Sequence, residues 1–268
     1  MIEGTASAGV RRARVAAITG AAQGIGQRTA LLLAERGYAL ALNDLRPCAE
    51  TLAALGRQGA EAVEHTGDAA DPAVVARFAA AVAERWGGAD VLVNNAGISF
   101  ISPAERTSAA DFRRILEINL VAPFLLAQAF GAGMLARGAG SIVNVASIAG
   151  LTGIADRSAY NASKHGLVGL TRTLAAEWGG RGVRCNAVCP GWVKTEMDDA
   201  AQGSGLYDDD DITERVPMAR FASPGDVARA IAFLADPAES GFVNGHTLVV
   251  DGGWTADGSW QRLRLAHR

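Results

Sequence analysis

Two hydrophobic periods alternate along this chain. Short runs rich in Val, Ile, Leu and Ala are apolar at nearly every position, and between them lie longer Ala-rich stretches whose apolar positions recur with helical spacing. A strand that is apolar on both faces must be covered on both faces, as happens in a parallel sheet between two helical layers. The runs predict seven strands, near Val15–Thr19, Ala39–Asn43, Glu61–His65, Val91–Asn94, Ser141–Val145, Arg184–Val188 and Thr247–Val250. The periodic stretches predict helices over Gly24–Arg36, Pro47–Arg57, Pro72–Trp86, Ala109–Arg137, Ser158–Trp178 and Gly225–Leu234. This alternation implies an α/β chain with a doubly wound sheet. Right-handed crossovers in such a sheet place ligands beyond the carboxyl ends of the strands, so chemistry is expected in the loops that follow them.

At 268 residues and 49% hydrophobic content the chain can bury one large core, so one domain is expected, over residues 13–253. The stretch before it, 1–12, lacks the apolar run of a signal peptide and reads as a flexible leader. Residues 254–268 form a tail with Trp260, Arg262, Arg264 and Arg268. The irregular segment 196–220 carries four consecutive acids, Asp208 to Asp211, and reads as a mobile substrate lid or a solvated loop. A net charge of −3 without a clustered basic surface argues against a nucleic-acid partner. No apolar run approaches the ~20 residues needed to span a bilayer, which argues against a membrane partner. Cys48, Cys185 and Cys189 make an odd set without metal-ligand spacing, so no disulfide framework or metal is expected, and a reducing cytoplasm fits.

The first predicted strand runs into Thr19-Gly20-Ala21-Ala22-Gln23-Gly24-Ile25-Gly26 and then directly into a helix. Glycines clear the Cβ atoms that would keep a pyrophosphate from the backbone, and the helix start offers unpaired N–H groups and a positive dipole end. The spacing is G-xxx-G-x-G; a tight packing turn is the competing reading. Asp44 ends the second strand eighteen positions after Gly26, close to the ~20 expected for an acid that accepts the adenosine-ribose hydroxyls. Its charge would repel the 2′-phosphate of NADP, which favours NAD; Arg46 nearby could accommodate that phosphate by turning inward. Asp68, with Ala69 after it, could take the adenine amino group, or it could cap the helix at Pro72, for which Asp71 is better placed. Asn95, Ala96 and Gly97 close the fourth strand with small residues that permit close approach.

Tyr160 and Lys164 stand at i and i+4 on one predicted helix face. A fixed cation ~4 to 6 Å from a phenol favours phenolate, so Lys164 is expected to lower the Tyr160 pKa toward working pH and fit it for general acid–base work. Ser147 follows the fifth strand, where its hydroxyl can hold a carbonyl oxygen against Tyr160. Asn119 sits inside a helical stretch, where an amide is locally unfavourable and suggests a kink or an ordered water.

Taken together, these residues resemble the short-chain dehydrogenase/reductase family over roughly Ala13 to Gly253. The resemblance implies a single Rossmann-type domain with a seven-stranded parallel sheet flanked by helices. It implies Ser147, Tyr160 and Lys164 as catalytic residues, with Asn119 as a fourth member that positions a relay water. Lys164 would also hold the nicotinamide ribose. Pro190-Gly191-Trp192-Val193-Lys194-Thr195 resembles the segment that meets the carboxamide through Val193 and Thr195. A homotetramer or homodimer is implied, as is a small alcohol or ketone substrate. The expected activity is NAD-dependent interconversion of a secondary alcohol, such as a polyol or sugar, and a ketone. A 3-oxoacyl thioester reductase is the alternative; Ala176 before Glu177, where carrier-dependent relatives carry arginine, weighs against it. A non-catalytic NAD-binding module is the third reading. Asp156, Arg157, Trp192 and Tyr207 fall where substrate would be read, though each could equally cap or face solvent.

Overall fold

The computed structural model describes residues 13–194, 208–260 and 263. Seven strands form one parallel sheet: β1 (Val15–Thr19), β2 (Ala39–Asp44), β3 (Ala62–Thr66), β4 (Val91–Asn94), β5 (Gly140–Val145), β6 (Val183–Pro190) and β7 (Thr247–Val250). Their order is β3-β2-β1-β4-β5-β6-β7, so the direction of winding reverses between β1 and β4. That reversal opens a crevice above the carboxyl ends of the strands.

Alternate residues of each strand feed two separate cores, as the two-residue period of a strand requires. Ala16 and Ile18 of β1 join Leu40, Leu42 and Val143 against α1 (Gly24–Glu35) and α8 (Pro224–Ala235), which contribute Leu33 and Ile231. Val15 and Ala17 face the other way. They join Leu92 and Ile142 under α3 (Pro72–Trp86), α5 (Ala122–Arg137) and α6 (Ser158–Trp178), which contribute Phe78, Phe130 and Leu174. The remaining α-helices among the described residues are α2 (Ala49–Arg57), α4 (Ala109–Leu116), α7 (Asp209–Thr213) and α9 (Pro237–Ser240).

Three sequence expectations change. The single long helix over Ala109–Arg137 is interrupted by a π-turn at Glu117–Val121, centred on Asn119. The acidic run is not a bare loop. Asp208 and Asp211 form a reciprocal capping box at the start of α7, where acids offset the helix dipole, and Asp209 pairs with Lys194 at 2.7 Å. Finally, the stretch Ala109–Arg137 is long and apolar enough to cross a bilayer, its most apolar 18-residue window having a mean hydropathy of 1.6, contrary to the expectation that no run qualifies. Here Leu126, Phe130 and Met134 pack into the sheet core, which accounts for that hydropathy without a membrane. Residues 1–12 and the part of the expected lid up to 207 lie outside the described residues.

Candidate active site

A cleft of about 450 Å³ runs across the carboxyl ends of the strands and gathers most of the residues singled out from sequence. Gly20, Gln23, Gly24 and Ile25 line it at the turn after β1, and Asn95, Ala96 and Gly97 at the end of β4. On the β2–β3 side lie Asp44, Asp68 and Ala69; on the β5–β6 side lie Ser147, Tyr160, Lys164, Pro190, Gly191 and Val193. Two residues named with them do not line it. Gly26 is buried, and a Cβ there would stand 2.0 Å from the Gly20 carbonyl oxygen, so its bareness lets α1 seat on the turn. Asn119 sits behind the wall. Thr195 lies outside the described residues.

The turn after β1 is built as a cradle. Gly20 and Gly24 have positive φ (67° and 58°), which glycine adopts without strain. A Cβ on Gly20 would stand 2.8 Å from the Asn95 amide nitrogen. Gln23 caps α1 without a side-chain hydrogen bond, and the first turn holds no acid, so no side chain of the helix's own first turn offsets its positive end. A pyrophosphate fits there on both steric and electrostatic grounds. Asp44 serves two purposes at once: its carboxylate accepts the Ala22 N–H at 3.0 Å and the Arg46 N–H at 3.1 Å, fixing the turn, while it lines the cleft. Arg46 itself leans over the cleft and donates to the Gln23 side-chain oxygen. Asp68 accepts the Ala70 N–H at 2.9 Å, and Asp71 is the helix cap, accepting the Ala73 N–H at 2.8 Å.

At the other end, Ser147 follows β5 and its hydroxyl accepts the Ala149 N–H at 3.1 Å, starting a short turn. Lys164 is buried and donates to the Val145 carbonyl at 2.9 Å, with its ammonium 5.6 Å from the centre of the Tyr160 ring. Asn119 accepts the Ile98 N–H at 2.9 Å and donates to the Ile98 carbonyl at 2.9 Å and to the Ser163 hydroxyl at 3.2 Å. The π-turn thus ties the loop after β4 to the helix that carries Tyr160.

The electrostatics correct the sequence expectation. Burial pushes the Tyr160 phenol up from its ordinary value; a hydrogen bond with Ser147 and the charge of Arg157 work against that rise, and Lys164 is not among the groups that lower it. Burial also lowers Lys164 itself, to about 8. Spacing on a helix face brought the two groups together, but desolvation of both dominates at this site. Residues missed from sequence, Ile98 and Ser99, line the cleft where they bond Asn119 and Arg157. Ile98 and Ser99 directly follow the predicted Asn95–Gly97 run, which was the available signal for them.

Residues 20–255 match the family model described as enoyl-(acyl carrier protein) reductase. The chain is 44% identical over 249 residues to D-threitol dehydrogenase of Mycolicibacterium smegmatis, covering 90% of this chain and 93% of that protein. It is 41% identical over 245 residues to galactitol 2-dehydrogenase (L-tagatose-forming) of Cereibacter sphaeroides, covering 90% and 94%. It superposes on a crystal structure of actinorhodin polyketide ketoreductase with NADPH at a TM-score of 0.86 and 35% identity, covering 90% of this chain and 97% of that one. These likenesses define an oxidoreductase that works on CH–OH groups with a nicotinamide cofactor. The chain belongs to the short-chain dehydrogenase/reductase family.

Proposed function

We propose that this enzyme interconverts a secondary alcohol and a ketone with NAD(H), and that Tyr160 exchanges the proton. The observation that carries this reading is the meeting of Ser147, Tyr160 and Lys164 at the end of a cleft whose other half is a glycine cradle with an acid at its rim. When bound, the nicotinamide supplies or accepts the hydride. Ser147 holds the substrate oxygen, and Tyr160 takes the hydroxyl proton in oxidation and returns it in reduction. Lys164 stands beside Tyr160 and is fixed by Val145; the Ser147 hydrogen bond and the Arg157 charge work against the burial that raises the phenol, and a positive nicotinamide ring would add to them. Gly97 leaves room at this point, since a Cβ there would stand 3.1 Å from the Asn119 oxygen and 3.5 Å from the Lys164 nitrogen.

NAD is favoured over NADP because a carboxylate at Asp44 meets the ribose edge where a 2′-phosphate would have to sit. Arg46 is the specific observation for the other cofactor, because its guanidinium also lines that end. The likeness to threitol and galactitol dehydrogenases supports an alcohol over an acyl thioester as substrate. Exposed Phe124, Phe233 and Phe242 support a homotetramer or homodimer, which light scattering would test. The test of the activity is reduction of NAD, followed by absorbance, across a panel of polyols, cycloalkanols and hydroxy acids. Faster reduction of NADP than NAD would refute the cofactor assignment, and no turnover of any alcohol would refute the reaction.

A further inference from the structure

The β5–β6 end of the cleft holds a fixed positive charge that is itself neither donor nor acceptor of the exchanged proton. Arg157 lines the cleft from the residue immediately before α6, three positions ahead of Tyr160. Its backbone is pinned: the Ser102 N–H donates to the Asp156 carbonyl at 2.8 Å, and Ser102 and Arg157 form an isolated parallel bridge. Asp156 adopts φ 58°, a left-handed conformation that non-glycine residues rarely take and that reverses the chain just before the arginine. The guanidinium is held as firmly, donating to the Ser99 hydroxyl at 2.8 Å and lying 5.3 Å from the centre of the Trp192 ring. Trp192 in turn packs on Trp254, with ring centres 5.9 Å apart.

No carboxylate among the described residues pairs with Arg157. The carboxylates that line the cleft among those residues, Asp44 and Asp68, belong to β2 and to the loop after β3, on the far side of the switch point. The cleft also presents the apolar side chains Ile98, Ile148 and Ile154 and the Trp192 ring, together with the polar Ser99, Ser147 and Tyr160. A neutral polyol would set some of its hydroxyls against the isoleucines, at a cost for each left unpartnered, and would leave the Arg157 charge uncompensated. An apolar skeleton with one anionic group fits instead: the isoleucines take the skeleton, and a preorganised guanidinium takes the anion through charge-assisted hydrogen bonds.

We propose that the preferred substrate is a hydroxy acid, an apolar secondary alcohol whose carboxylate is bound by Arg157. The inference rests on the alcohol–ketone reading above and names its substrate class. In oxidation the carbinol carbon loses its hydride to the nicotinamide and the hydroxyl loses its proton to Tyr160; the carboxylate is unchanged and the product is a keto acid.

The test uses matched pairs, a cyclic and a linear hydroxy acid each with its own carboxamide, and kcat/KM for wild type, Arg157→Lys and Arg157→Met. In wild type the acid is expected to exceed its amide by about 100-fold, the scale of a charge-assisted hydrogen bond pair. Arg157→Met is expected to remove that preference chiefly by weakening the acid, and Arg157→Lys to retain part of it. Wild type that turns over amides as fast as acids would overturn the proposal and leave the dehydrogenase reading standing. So would an Arg157→Met variant that weakens both members of each pair equally, since that marks a purely structural clamp. Turnover of neither member of any pair, nor of neutral alcohols, would overturn the alcohol–ketone reading and this inference with it.

Discussion

Lys164 is 4% exposed, and its ammonium donates to one described partner, the Val145 carbonyl at 2.9 Å. Burial lowers its pKa from 10.5 to about 8, so the folded chain holds this proton less tightly than the unfolded chain does. Below pH 8 the ammonium therefore costs about 3 kcal/mol, at ~1.4 kcal/mol per tenfold. The unfolded state binds more protons between pH 8 and 10.5, so the cost fades over that window as pH rises. Lys164→Met keeps an unbranched side chain and removes the charge. It also removes the bond to Val145, worth about 1.5 kcal/mol. Net stabilisation of roughly 1–2 kcal/mol at pH 7 is expected, alongside loss of turnover. The sharper signature is in the pH dependence: the stability of the variant relative to wild type should fall by roughly 2–3 kcal/mol from pH 7 to pH 10, so that the sign reverses and the variant becomes the less stable of the two. Urea unfolding of both proteins without nucleotide, run in parallel at the two pH values, measures this directly. A variant less stable than wild type at pH 7, with a difference that does not change with pH, would refute the claim that Lys164 is a buried charge held at a cost to the fold.

Asp44→Ala should relax the preference for NAD by about tenfold or more in the ratio of kcat/KM values for NAD and NADP. Unchanged selectivity would move the determinant to Arg46 and its contact with Gln23. Gly26→Ala should lower stability by about 3 kcal/mol, because its Cβ would meet the Gly20 carbonyl oxygen at 2.0 Å and force α1 off the turn. Thermal melting would show it, and nucleotide affinity should fall with it although Gly26 does not line the cleft.

The inner strands were legible because they are apolar on both faces, as a doubly covered sheet requires, whereas the edge strand β3 carries Glu64, His65 and Thr66. β6 extends at both ends beyond the expected Arg184–Val188, because Val183 pairs with Gly140 of β5 and Pro190 with Val250 of β7. Those partners come from other parts of the chain, so periodicity could not reveal them. Asn119 was legible as a disturbance in its helix, but the π-turn depends on the Ile98 backbone that it grips. The capping box at Asp208 and Asp211 was present in the spacing and was obscured by the run of like charges around it. Tyr160 and Lys164 were legible as neighbours, whereas their pKa values were not, because desolvation is set by what else closes over them. Arg157 had no local signature that separated a cleft residue from a helix cap; the bridge to Ser102 and the Trp192 ring make the difference.

The account stands most directly on Tyr160. In Tyr160→Phe the ring and the fold persist, and only the hydroxyl that exchanges the proton is removed. NADH binding, followed by fluorescence titration, should stay within a few-fold of wild type while kcat falls by 10²-fold or more. Binding retained together with wild-type turnover would contradict it.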